Sequence, residues 1–167
     1  MKFPKIFLTV GTTQFEELVA VIDSKDFQDM VAKTFGTREI LVQIGKGVKE
    51  PKSHTSQVSV SFYRLKPDIK EDMATADLII THCGAGSVTE AMNAGKPTVA
   101  VVNQLLMDNH QSELAEALVE AGPFLFAVDN PAQLVKQLPH LEFAALKRYK
   151  SPDLTNFVRD ITKYIVS

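Results

Sequence analysis

Ala76-Asp77-Leu78-Ile79-Ile80-Thr81-His82-Cys83-Gly84-Ala85-Gly86-Ser87-Val88-Thr89-Glu90, closed by Asn93-Ala94-Gly95-Lys96-Pro97 and followed by Thr98-Val99-Ala100-Val101-Val102, is a complete strand–helix–strand unit. Residues 76–81 are apolar and β-rich enough for a buried strand, and the small residues after them let the backbone turn tightly into a helix opening near Ser87. Gly95 and Pro97 stop that helix, and residues 98–102 supply the next strand. Unpaired N–H groups and the positive end of the dipole make such a helix start favourable for an anion. Glu90, one turn in, can accept hydrogen bonds from sugar hydroxyls. Together these features imply a sugar-nucleotide pocket.

The same alternation extends outward in both directions. Strands are predicted at residues 6–10, 39–44, 58–62 and 124–128. Helices are predicted at residues 15–22, 27–35, 68–76, 109–121 and 131–138, the last with a proline at its start. Residues 50–57 are polar, contain Pro51 and read as a surface loop. This order implies an α/β fold with a parallel sheet covered by helices on both faces, and ligands beyond the carboxyl ends of the strands. At 167 residues and 45% hydrophobic content, one domain with a single core is expected over residues 1–150. After Pro152, Leu154, Phe157, Val158, Ile161 and Ile165 form an apolar stripe at helical spacing. Residues 151–167 are therefore expected to be an amphipathic helix, packed on the domain or on a partner subunit.

Composition narrows the function. A formal net charge of −2 and scattered Lys and Arg give no footprint for nucleic acid. The single cysteine, Cys83, rules out an internal disulfide and a Cys-based zinc site, suits a reducing compartment, and reads as a packing residue. No run approaches the ~18 apolar residues that span a bilayer, and the first residues resemble a core strand more than a cleavable leader, so a soluble cytoplasmic chain is expected.

The carboxyl-end segments hold the unusual residues. Gly11-Thr12-Thr13 forms a hydroxyl-rich turn whose N–H groups could cradle phosphate or bound sugar, or a plain turn with Thr13 as helix cap. In Gln43-Ile44-Gly45-Lys46-Gly47 the glycines allow close backbone approach and Gln43 can bond a polar ligand, although a surface turn reads equally well. Residues 103–111 form a polar loop entering a helix, where Asn109, His110 and Gln111 meet a nucleotide or simply cap the helix. Gly84-Ala85-Gly86 followed by Ser87 lacks the third glycine of a dinucleotide fingerprint, and neither Gly45-Lys46 nor Gly95-Lys96 completes a phosphate loop. No Asp-x-Asp pair is present to hold a divalent ion on a diphosphate, so neither metal nor cofactor is expected.

In combination and in order, residues 7–15, 43–47, 77–97 and 107–115 resemble the cytosolic catalytic subunits of the dolichol-pathway UDP-N-acetylglucosamine transferase, over roughly residues 5–138. More distantly they are similar to the nucleotide-binding C-terminal half of the bacterial lipid II-forming N-acetylglucosaminyltransferase, a two-domain GT-B enzyme of the glycosyltransferase family 28 type. The resemblance implies a single Rossmann-like domain that binds UDP-GlcNAc. It also implies a membrane-anchored partner subunit that supplies the other half and recruits the chain to the cytosolic face of the endoplasmic reticulum. The implied reaction transfers a second GlcNAc, with inversion, to the lipid-linked acceptor GlcNAc-diphosphodolichol.

By position, Glu90 would hold the ribose, and Ser87 with the backbone of Gly84, Ala85 and Gly86 the diphosphate. Gln111, Asn109 and His110 would meet the donor end, and Gly11, Thr12 and Thr13 would line the cleft. His82, at a strand end, is the candidate general base; it could equally position the loop or contact phosphate, with the base on the partner. A subunit of another lipid-linked polysaccharide transferase, or a non-catalytic sugar-nucleotide-binding protein, remains compatible with the same pattern.

Overall fold

The computed structural model describes residues 1–105 and 110–148. Within them the chain runs β1 (Lys5–Thr9), α1 (Glu16–Ile22), α2 (Lys25–Phe35), β2 (Glu39–Gln43), β3 (Ser59–Tyr63) and α3 (Lys70–Thr75). It continues through β4 (Leu78–His82), α4 (Ala85–Ala94), β5 (Thr98–Val101), α5 (His110–Ala121), β6 (Phe126–Val128) and α6 (Pro131–Gln137), and two short 3-10 turns follow. Asn109 and the predicted C-terminal helix at residues 151–167 lie outside the described residues. Among those described, no helix is long and apolar enough to cross a membrane.

Local chemistry sets the element ends. Ser24 accepts a hydrogen bond from the Phe27 amide at the start of α2, and Gly36 closes that helix in the left-handed conformation at φ 68°. Asn130 caps α6 in the same way, through the Gln133 amide, with Pro131 in its first turn. The opening of α4 differs from expectation. It begins at Ala85, two residues before Ser87, with extended Gly84 at the cap and no side-chain capping bond. A bare backbone cap offers no Ser, Thr, Asp or Asn to mark it.

All the strand pairings are parallel, in the order β3-β2-β1-β4-β5-β6. Alternate strand residues face opposite sides. Ile6, Leu8, Ile40, Val42, Ile80 and Val101 pack with α1, α2 and α6 residues such as Leu18, Phe27 and Leu134. On the other face Phe7 and Ile79 meet Met73 and Ala91 of α3 and α4, while Ala100 meets Val88, Leu114 and Leu118 of α4 and α5. Ile80 is fully buried in a central strand. Ile80→Ala is expected to cost about 2–5 kcal/mol, read as a lower urea midpoint with an unchanged slope.

The chain winds outward from β1 through β2 to β3, then returns to place β4 on the other side of β1. The loops leaving β1 and β4 therefore diverge, and a crevice opens between them at the carboxyl edge.

Candidate functional site

The crevice is a cleft of about 470 Å³. Its walls bring together Gly11, Thr12 and Thr13 after β1, Gln43 at the end of β2, His82 at the end of β4, and Gly84, Ala85, Gly86, Ser87 and Glu90 from the start of α4.

A short relay builds the first turn. The Gly11 amide donates to Thr9 Oγ1 at 2.9 Å, and the Thr9 hydroxyl donates to Gln43 Oε1. Gln43, almost fully buried, thereby orients this turn from the neighbouring strand. Thr13 does not cap α1; its hydroxyl donates to the Val10 carbonyl at 2.9 Å, which tightens the turn. Gly45, at φ 59°, lies beneath. A methyl group there would fall 2.1 Å from the Thr13 carbonyl oxygen and 2.9 Å from that of Gly11. Its absent side chain is thus what lets the β2 loop seat against the β1 loop.

His82 forms the floor. Its ring lies between the two loops, 2.2 Å from where a methyl on Gly84 would sit and 2.8 Å from where one on Gly11 would sit. It is 6% exposed, and among the described residues its buried Nδ1 has no hydrogen-bond partner. Burial lowers its pKa, opposed in part by the Thr9 backbone. His82 is therefore neutral near pH 7, and the unfolded chain takes up a proton there more readily than the folded one. Stability is expected to fall as pH drops through the ordinary histidine range near ~6.5. Chemical denaturation of the native chain and His82→Asn between roughly pH 5 and 7 tests this; the variant should have the flatter profile. Cys83, next in sequence, is buried and its thiol is pushed up to about 12, which makes it an inert packing residue.

Two groups of residues fall differently from the sequence reading. Gln111 does not line the cleft; its Oε1 accepts the Asn103 amide at 2.9 Å, tying the loop after β5 to α5. His110 opens α5. Conversely, Lys66, Pro67, Asp68, Ile69 and Lys70 form a cleft wall that sequence reasoning missed. This wall is fastened from behind, where Asp72 receives the Tyr63 hydroxyl at 2.6 Å and Lys66 Nζ at 2.9 Å. Burial, with Asp72 alongside, pushes the Tyr63 pKa up and keeps it a neutral donor.

The glycosyltransferase family 28 C-terminal domain matches residues 5–165. The chain belongs to this family. Its relatives include the UDP-N-acetylglucosamine transferase subunit ALG13 of Mus musculus and of Homo sapiens, each 42% identical over 123 residues. These alignments cover 73% and 72% of this family 28 chain but 10% and 11% of the relatives, so the chain spans about a tenth of their length. The corresponding subunit of Yarrowia lipolytica is 36% identical over 125 residues, which cover 73% of this chain and 63% of that one.

Among solved structures, the NMR solution structure of ALG13 overlays with a TM-score of 0.71 at 20% identity, over 99% of this chain and 98% of the other. The crystal structure of Acinetobacter baumannii MurG overlays with a TM-score of 0.63 at 20% identity, over 97% of this chain and 50% of the other. The family 28 domain thus has the fold of one half of a GT-B enzyme.

Proposed function

We propose that this chain is the donor-binding half of an inverting N-acetylglucosaminyltransferase. It binds UDP-GlcNAc in the β1/β4 cleft and, with a membrane-anchored partner subunit, adds the second GlcNAc to GlcNAc-diphosphodolichol at the cytosolic face of the endoplasmic reticulum. The observation that carries this reading is the convergence, in one cleft, of the α4 N-terminus, the Gly11 turn and the carboxylate of Glu90. The relatives named as UDP-N-acetylglucosamine transferase subunits point the same way.

In this reading the amides at residues 84–87 and the Ser87 hydroxyl hold the diphosphate, and Glu90 holds the ribose hydroxyls. The acceptor hydroxyl attacks the anomeric carbon as its bond to the diphosphate oxygen breaks, and UDP departs with the electron pair. Preoriented amides at the helix start stabilise the charge that develops. His82, neutral and almost wholly buried at the cleft floor, suits a hydrogen bond to phosphate better than capture of the acceptor proton. That proton goes to a base on the partner subunit.

The test is transfer of labelled GlcNAc from UDP-GlcNAc to GlcNAc-diphosphodolichol by the chain with and without the membrane subunit. Transfer is expected only from the pair. Robust transfer by the chain alone would refute the divided site, and no transfer by a folded, assembled pair would refute the acceptor assignment.

A further inference from the structure

The outer wall of the cleft is a loop crossing from the end of β3 to the start of α3, and its two ends rest on different parts of the fold. Tyr63 ends β3, an edge strand paired with β2. Ile69, just before α3, is buried with Met73 against Phe7 of β1, Ile79 of β4 and Ala91 of α4. Between these anchors, among the described residues, none of residues 65–68 makes a backbone–backbone hydrogen bond. The middle of the loop, which lines the cleft through Lys66, Pro67 and Asp68, is therefore shaped by side chains.

One carboxylate gathers the loop. Asp72, in α3, accepts the Tyr63 hydroxyl on Oδ2 at 2.6 Å, and Lys66 Nζ on both oxygens, at 3.1 and 2.9 Å. It thus joins the strand end, the middle of the wall and the helix that follows. The Lys66 ammonium also lies 4.2 Å from the centroid of the Tyr63 ring, which closes the cluster on itself. The Asp72 side chain is 13% exposed and does not line the cleft, whereas that of Lys66 is 43% exposed and does. Bonds to an ionised group in such a half-buried setting hold geometry better than a pair in open solvent.

We propose that Asp72 is a positioning residue for donor binding: set behind the wall, it holds Lys66 and the adjoining residues 67 and 68 in place against the donor. That role rests on the transferase reading above, because it needs a ligand in the β1/β4 cleft. A carboxylate that served the fold alone would make the same bonds, and the two roles differ in their coupling. If Asp72 acts on the ligand through Lys66, then once Lys66 is replaced the loss of Asp72 changes affinity no further.

The experiment measures UDP affinity and melting temperature for the full chain, native and as Asp72→Asn, Lys66→Met, the double variant and Tyr63→Phe. Asp29→Asn, which removes the Lys25 ion pair on α2, is the control for loss of a carboxylate far from the cleft. Asp72→Asn and Lys66→Met are each expected to weaken UDP binding about tenfold, and the double variant no more than the larger single effect. Tyr63→Phe, which leaves Lys66 its partner, should weaken it less, and Asp29→Asn should leave it unchanged. Assembled with the membrane subunit, Asp72→Asn should raise KM for UDP-GlcNAc about tenfold and keep kcat within about twofold, as when binding common to ground and transition states is lost.

Additive losses in the double variant would mean that Asp72 does not act through Lys66, and would overturn the proposal. So would a loss confined to kcat, or an Asp72→Asn chain that does not fold, which would make Asp72 a residue of the fold. Absence of UDP binding by the native chain would overturn the donor reading and this role together. UDP binding by the native chain that a folded Asp72→Asn retains in full would overturn this role alone.

Discussion

Glu90→Ala is expected to weaken UDP binding by roughly 10- to 100-fold while leaving the unfolding free energy within about 0.5 kcal/mol of the native chain. The two effects separate because Glu90 is exposed on α4 and contributes nothing to the core. Glu90 lines the cleft one helical turn from Ser87, where the proposed reading has its carboxylate bond both ribose hydroxyls. The ligand supplies an independent check. The native chain should bind UDP more tightly than 2′-deoxy-UDP, and in Glu90→Ala that preference should disappear, because the group proposed to read the hydroxyl is gone. A variant that keeps the preference would place the ribose elsewhere. A variant that loses stability as well as affinity would make Glu90 structural.

Much of this cleft was readable from local chemistry. Gly95 and Pro97 end α4 as their backbone preferences require, and the apolar run before His82 is the buried β4 strand. The order of strands is another matter. Pairing β1 with both β2 and β4 brings residues more than thirty positions apart into register, and no local signal specifies it.

That pairing explains what was missed. The wall at residues 66–70 faces the cleft because β3 lies two strands out and α3 returns from it, so Pro67 alone gives no hint of a site. Gln111 illustrates an ambiguity of another kind. A polar side chain at a helix entrance reads alike whether it meets a ligand or a backbone amide, and here the amide of Asn103 takes it. Gly84 lies between these cases, since its glycine signals a turn but not that a histidine ring occupies the space beside it.

Two glycine substitutions distinguish the kinds of crowding that shape the site. Gly84→Ala keeps an allowed backbone, at φ −97° and ψ 137°, so its cost comes from the new methyl 2.2 Å from His82 Nε2. A ring can move, and about 1–3 kcal/mol is expected. Gly45→Ala meets no such relief. Its φ of 59° costs an alanine about 1–2 kcal/mol, and the methyl would fall 2.1 Å from the Thr13 carbonyl, a backbone atom that also holds the Lys46 amide.

Gly45→Ala should therefore be the more destabilising, by several kcal/mol, at about 2–4 °C of melting temperature per kcal/mol for a chain of this size. Adding His82→Ala tests the distinction. It should recover part of the loss in Gly84→Ala, a coupling of about 0.5–3 kcal/mol, and none of the loss in Gly45→Ala. Recovery in neither variant would mean that the ring of His82 does not separate the β1 loop from the start of α4. Recovery of stability in the Gly84→Ala double variant without recovery of UDP affinity would show that the ring acts on the ligand as well as on the fold.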